Sequence, residues 1–263
     1  MCTLILRKFK KVLIVSCLVI YSLLFFNNSI AQNFDSTFQA GLHYETSLNE
    51  KLALVKFIDA LKIKPLNLAA LYKCSELCSR IGHRESNTNS RDKYFQSALS
   101  YATIAYNHYP NNDEANVAMS IALGRIALTK SGKDKISKVK QIKKYAENAV
   151  RLNPNNAKAW HIIGKWNYEV SNLSMIESAA TNLFYGGLPA ASLKASIEAY
   201  EKAKKINPYF CLNYLELAKA YYRNDERNKA ISTLKLISAI AITTEDDIKI
   251  KKEAAELLRK WNR

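Results

Sequence analysis

The chain has 263 residues and a net charge of +16, and 48% of its residues are apolar, with only 7 glycines and 5 prolines. So few breakers exclude a loop-rich or strand-and-turn protein and leave a mostly helical chain. The length accommodates one or two domains or one elongated array. In chain order, the first feature is a basic start (Arg7, Lys8, Lys10, Lys11) before an apolar run from Val12 to Phe26. Ser29 and Ala31 then offer small residues at −3 and −1 of a cut before Gln32. This is the secretory pattern, and a run of 15 falls short of the roughly 20 apolar residues a spanning helix needs. The expectation is a signal peptide over 1–31 and an exported (periplasmic or secreted) chain over 32–263. A membrane anchor formed by the same segment is the alternative. Residues 1–31 carry four basic and no acidic residues, so 32–263 keeps 35 basic against 23 acidic, a charge of +12. It also keeps three cysteines, Cys74, Cys78 and Cys211. That odd number at irregular spacing is no disulfide framework. Cys74 and Cys78 read as small buried hydrophobes rather than a metal pair, because partner ligands are missing.

From Phe34 onward one pattern recurs. Ala53, Phe57, Ala60 and Pro65 form one closing-helix set. Ala98, Ala102, Ala105 and Pro110 form the next, followed by Ile142, Ala146, Ala149 and Pro154, then Ser196, Tyr200, Ala203 and Pro208. A fifth, Ala230, Leu234 and Ile237, has Ile242 where proline would fall. An opening helix precedes each, through Gly41 and Tyr44; Cys74 and Ser75; Met119 and Ser120; Trp160 and Gly164; and Leu217 and Ala218. Five sets in phase resemble tetratricopeptide repeats, each an antiparallel helix pair that buries its apolar face only against neighbours. In the fourth repeat Gly164 and Ala203 let the backbones approach, while Trp160 and Tyr200 fill the gap. The fold class is therefore all-α, a helix-pair solenoid of about five repeats with inter-helix insertions and a C-terminal capping helix.

The prolines at 65, 110, 154 and 208 are 45, 44 and 54 residues apart, against about 34 in an uninterrupted array. The excess in repeat two, Gly82 to Arg91, is polar and reads as a surface loop. In repeat three, Lys130 to Lys144 holds seven lysines and one acid. Ile136, Val139 and Ile142 keep helical spacing through it, so it reads as an extended closing helix with a basic, solvated outer face. In repeat four Ser174 and Glu177 form a capping box, starting an apolar-faced helix that Gly186-Gly187 ends. Its expected place is across the array or along a pocket. Thr243 to Asp247 starts the last helix with acids in its first turn, and the charged outer face suits an end cap.

Trp160 to Val170, Leu173-Ser174, Ala179 to Phe184, Gly187-Leu188-Pro189 and Thr244 to Asp246 resemble the regulator of microtubule dynamics family, most clearly from Ala115 to Trp261. The resemblance implies the tetratricopeptide fold and a binding rather than catalytic role. Members are described as associating with microtubules, with membranes and, in one case, with phospholipid. Beside an export signal, lipid or peptide binding carries over and microtubule binding does not.

Catalytic chemistry finds no support in the residues. His43, His83, His108 and His161 share no metal-ligand spacing, and no serine elbow, phosphate loop or dinucleotide fingerprint is present. No catalytic residue, metal or cofactor is expected, and no nucleic acid is expected among the partners. Binding falls to the concave face, lined by opening helices. Phased on Trp160, positions +1, +5, +8 and +9 give His161, Lys165, Tyr168 and Glu169, and in repeat five Leu215, Lys219, Tyr222 and Arg223. Repeat three adds Val117, Ile121, Gly124 and Arg125; repeat two adds Tyr72, Glu76, Ser79 and Arg80. The bland alternative is that Lys and Tyr are simply common here. The functional reading takes Arg125, His161, Lys165, Tyr168, Lys219, Tyr222 and Arg223 as a groove for an anionic ligand. That ligand is either a carboxylate-bearing peptide or protein segment or an anionic lipid, with peripheral membrane contact, whose acyl chains lie in a slot walled by Met175 and Phe184 of the 174–189 insertion.

Overall fold

The computed structural model describes residues 32–262, so the signal-peptide and anchor readings for 1–31 lie outside the described residues. Among these there are twelve helices and no strand. They are α1 (32–46), α2 (Glu50–Ile63), α3 (Leu68–Arg84), α4 (Thr88–His108), α5 (Asp113–Ala127) and α6 (Gly132–Leu152). There follow α7 (Ala157–Val170), α8 (Met175–Tyr185), α9 (Leu193–Ile206), α10 (Cys211–Arg223), α11 (Arg227–Ile237) and α12 (Glu245–Trp261). The repeats pair α1 with α2, α3 with α4, α5 with α6, α7 with α9 and α10 with α11; α8 interrupts the fourth and α12 follows the fifth.

Asparagine starts these helices. Asn49, Asn67, Asn87, Asn112 and Asn156 each accept a hydrogen bond from the amide three residues on, supplying a partner the first turn lacks. Serine does the same at Ser174 and Ser192. Within a repeat, contact distance is set by one small residue on the opening helix. A Cβ on Gly164 would lie 2.6 Å from Tyr200 Cδ1, and one on Gly41 2.7 Å from Phe57 Cε1. Tyr200 and Phe57 are fully buried. Where serine takes this place it also bonds across the pair. Ser75 Oγ donates to Ala98 O and Ser120 Oγ to Ile142 O, both at 2.9 Å; in repeat four the closing-helix Ser196 Oγ donates to Gly164 O at 2.8 Å. Trp160 departs from its expected place: it is half-buried at the repeat edge, its indole N–H donating to Pro154 O at 2.8 Å. Tyr200 alone fills the gap.

Two other expectations need correction. The polar stretch 82–91 is not a loop, because α3 runs to Arg84 and α4 starts at Thr88. Gly82 serves close approach instead of turning: a Cβ there would lie 2.8 Å from Tyr94 Cβ and 2.9 Å from the Phe95 ring. Polar residues facing solvent at helix ends do not break a helix that Asn87 recaps. The α8 insertion has its capping box, and Gly186 closes it in the left-handed region at φ 67°. It does not wall a slot. Met175 is 90% exposed and Phe184 68% exposed, because α8 packs against α6 by its opposite side, where Thr181 is buried and Tyr185 O accepts from Lys140 Nζ.

Replacing Gly164 with alanine should destabilise the fold by about 1–3 kcal/mol through overpacking against Tyr200. Gly124→Ala, whose Cβ would meet only Ile142 Cδ1 at 3.9 Å, should be neutral or stabilising by up to about 1 kcal/mol. Urea melts of the two variants check the pair; equal losses would place the helix contact elsewhere.

Candidate functional site

Opening helices touch one another across repeats, α3 with α5, α5 with α7 and α7 with α10, whereas among the described residues no two closing helices make more than marginal contact. The opening helices therefore form the inner layer of the curve, and the expected groove positions lie on the inside. Many of them are packed rather than open. Val117 and Leu215 are core residues, and Tyr72, Glu76, Ser79 and His161 are buried. The +1 side chains wedge between successive inner helices, so the groove floor is a continuation of the core.

The charged side chains inside this curve form a ladder of ion pairs. Glu45 takes Lys73 and Arg80, each at 2.8 Å. Arg80 also reaches Glu50 at 3.2 Å, and Glu76 takes Lys158. Burial raises the Glu76 carboxyl, but Lys158 and Arg80 outweigh it and hold the group down at about 2. Farther along, Glu216 accepts from Lys165 at 2.7 Å and Lys219 at 3.1 Å. Burial raises Glu216 as well, and the two lysines more than compensate. Glu169 and Glu253 take the other sides of Lys165 and Lys219, at 2.8 and 2.7 Å. A polar cleft of about 410 Å³ opens near the N-termini of α3, α5 and α7, and its two lysines, Lys73 and Lys158, are the ones already paired.

The expected binding residues divide by what they touch. Lys165 and Lys219 do converge, but on a shared carboxylate. Arg223 donates to Tyr168 O and Ser171 O, each at 2.8 Å, tying α10 to the end of α7. Tyr168 lies under that guanidinium at 4.9 Å, and Tyr222 stacks on Trp261 at 4.0 Å. His161 is buried against Phe210 and Tyr200, with Nδ1 3.1 Å from Asn213 Oδ1. Burial depresses its imidazole to about 4 despite the Asn213 bond, so it is neutral. Arg125 stands apart. No ion pair reaches it among the described residues, and its Nε is sealed from solvent without a hydrogen-bond partner. Burial lowers its guanidinium, with Asp246 acting the other way. The thiols of Cys74, Cys78 and Cys211 are buried and free, and burial pushes all three up, Cys211 to about 11.

What sequence reasoning missed is the return of α12 to the first repeats. The amide of Glu50, which opens α2, donates to Glu245 Oε1 at 2.8 Å, and the amide of Glu245, which opens α12, donates to Glu50 Oε1 at 3.3 Å. Two helix N-termini thus exchange carboxylates, each placed where the helix dipole favours negative charge. Arg84 sits between them, 2.6 Å from Glu50, 3.1 Å from Glu245 and 2.7 Å from Asp246. Glu50 is fully buried. A glutamate at the first position of each helix was visible in the sequence, but each is an ordinary first-turn acid and nothing there pairs residues 195 apart.

Known proteins share both this sequence pattern and this fold. The family described as regulator of microtubule dynamics protein 1-3 matches residues 34–262. Regulator of microtubule dynamics protein 1 of Bos taurus is 27% identical over 177 residues, covering 66% of this chain and 56% of the relative. Protein 2 of Homo sapiens is 24% identical over 179 residues, 68% of this chain and 44% of the relative. The chain thus spans about half the length of these relatives. Among solved structures, a thermophilic TPR protein of Thermus thermophilus superposes with a TM-score of 0.65 at 14% identity, over 86% of this chain and 99% of that one. Yeast Tom70 gives 0.53 at 13%, over 86% and 39%. These structures establish the helical-repeat fold. The relatives overturn the expected export: proteins that regulate microtubule dynamics act where microtubules are, inside the cell, and a periplasmic or secreted location is withdrawn.

Arg84→Met should cost about 3 kcal/mol by leaving the buried Glu50 with one cation fewer, and hydrogen exchange should quicken first in the opening turn of α12. Unchanged protection there would show that the α2–α12 contact is dispensable. A buried neutral His161 stabilises the fold fully above its unfolded value near 6.5, and that contribution drains away as pH falls toward about 4. The loss should reach about 3 kcal/mol relative to His161→Gln, whose stability should be flatter over that window; parallel curves in pH-resolved urea melts would refute it.

Proposed function

This chain belongs to the regulator of microtubule dynamics protein 1-3 family, and we propose that it is a non-catalytic helical scaffold that binds a protein partner through a negatively charged group held at Arg125. The observation that carries this reading is the contrast between Arg125 and its neighbours. Lys73, Arg80, Arg84, Lys158, Lys165 and Lys219 each have carboxylates of this chain within ion-pair distance. Arg125, on the last turn of the inner helix α5, has none among the described residues, and its Nε is orphaned. A guanidinium presents a fixed fork of donors matched to carboxylate and phosphate oxygens, and leaving it unpaired in partial burial costs stability that a bound anion would restore. The binding region is thereby narrower than the stripe of lysines and tyrosines expected from the sequence. Lys165 and Lys219 face three glutamates, so that end of the concave face carries no excess of positive charge. The acyl-chain slot loses its support too, because Met175 and Phe184 point outward.

Inorganic phosphate and a short glutamate-rich peptide are the probes. At equal ionic strength against chloride, either anion should stabilise the wild type by about 1.4 kcal/mol once it exceeds its Kd tenfold. Arg125→Gln should abolish that gain, whereas Lys165→Gln, which leaves Glu216 its bond to Lys219, should leave it in place. Stabilisation by neither probe, or persistence of the effect in Arg125→Gln, would overturn the assignment.

A further inference from the structure

The helix α8 is secured at both ends and then left uncovered. Its start is held by the box in which Ser174 Oγ accepts from the Glu177 amide and Glu177 accepts from the Ser174 amide. Its end is held by Gly186 in the left-handed region and by Lys140 Nζ, which donates to Tyr185 O at 3.0 Å. Between these fixed ends, Met175, Ile176, Leu183 and Phe184 are 90, 82, 78 and 68% exposed. They recur at the spacing of one helical face. Apolar residues scattered singly on a surface need no explanation, but four large ones along a helix of about 16 Å do. Among the described residues, α6 is the only helix in substantial contact with α8, and its first half is the lysine-rich segment. Lys133, Lys135 and Lys138 enter no ion pair among the described residues, and Lys135 lies close enough to Glu177 to help hold that carboxyl down, after its bonds to Ser174.

We infer that the α8–α6 face is a docking surface for an anionic membrane, α8 lying in the interface with its apolar stripe toward the acyl chains and the α6 lysines among the headgroups. Charge complementarity and shape favour this occupant. A convex stripe on a single protruding helix has no cleft to receive a side chain from a rigid partner, whereas a fluid interface closes around it. A second copy of the chain would bring like-charged lysine rows together. Free lysines beside an apolar helix face are the combination that binds negatively charged leaflets, each cation adding to the attraction within a Debye length. The site is separate from Arg125, which lies on the inner layer while α8 packs on a closing helix, so neither reading rests on the other.

Sedimentation of the purified full chain with sucrose-loaded vesicles tests it. Vesicles of phosphatidylcholine mixed with phosphatidylserine should pull down the wild type, and phosphatidylcholine alone about tenfold less, with added salt releasing it. Changing Met175, Ile176, Leu183 and Phe184 together to serine should reduce binding about tenfold. Lys133→Gln with Lys135→Gln and Lys138→Gln should do the same; Lys133 and Lys135 are exposed, Lys138 is half-buried, and the changes remove charge without placing new acids beside Glu177, so this second variant remains informative if the first fails to fold. Arg125→Gln should bind vesicles like the wild type, which keeps this outcome distinct from the anion test above. A wild type that stays in the supernatant with anionic vesicles overturns the proposal, as does binding at the wild-type level by both variants. A dimer in solution that the serine variant converts to monomer would assign the stripe to a second copy instead, and also overturns it.

Discussion

The structure depends on the contact between Glu50, Arg84, Glu245 and Asp246. A helix-pair solenoid is open by construction, because each repeat needs only its neighbours. Here the last helix comes back to the first repeats, and two helix N-termini meet with a glutamate each and an arginine between. The four amides at each helix start need partners and the dipole favours anions there. Facing two such ends at each other with exchanged carboxylates meets both demands, and Arg84 offsets the charge that results. The buried Glu50 is acceptable only because Arg80 and Arg84 both reach it.

Closure of this kind changes what the concave face can do. In an open array the inner positions of successive helices face solvent and are free to evolve contacts with a ligand. With α12 returning across the curve, those positions either pack into the core, as Val117 and Leu215 do, or pair among themselves, as Lys165 and Lys219 do through Glu216. The inner charges therefore hold the superhelix together. What the ladder leaves without a carboxylate partner is Arg125 on the inside, and what lies outside it is the uncovered helix α8 beside the lysines of α6.

The chain also shows how one geometric need is met by different residues. Close approach of paired helices requires a small residue on the opening helix. Gly41 and Gly164 meet this need by removing atoms in front of Phe57 and Tyr200, while Ser75 and Ser120 meet it with a hydroxyl that bonds to the facing backbone. Gly82 belongs to the same class. Its place in a polar run made it look like a turn, because composition reports solvation and not the proximity of Tyr94 and Phe95.

Much of the fold was legible in the sequence because its determinants are local. The phase of five helix pairs follows from residues three and four apart, and the α8 insertion from Ser174, Glu177 and the two glycines that follow Tyr185. The Lys-rich closing helix was legible for the same reason. The candidate site was legible only as a set of inward positions: the phase placed Lys165, Lys219 and Arg125 on the inner layer, and tertiary structure decided which of them were already spoken for. Glu216 lies three residues from Lys219 but 51 from Lys165, and Asp246 lies 162 from Arg84. Net charge along a stripe says nothing about carboxylates that arrive from other helices. The outward turn of Met175 and Phe184 was likewise decided by which side of α8 met α6. Periodicity finds an apolar face, but what covers that face depends on surfaces brought together from distant parts of the chain.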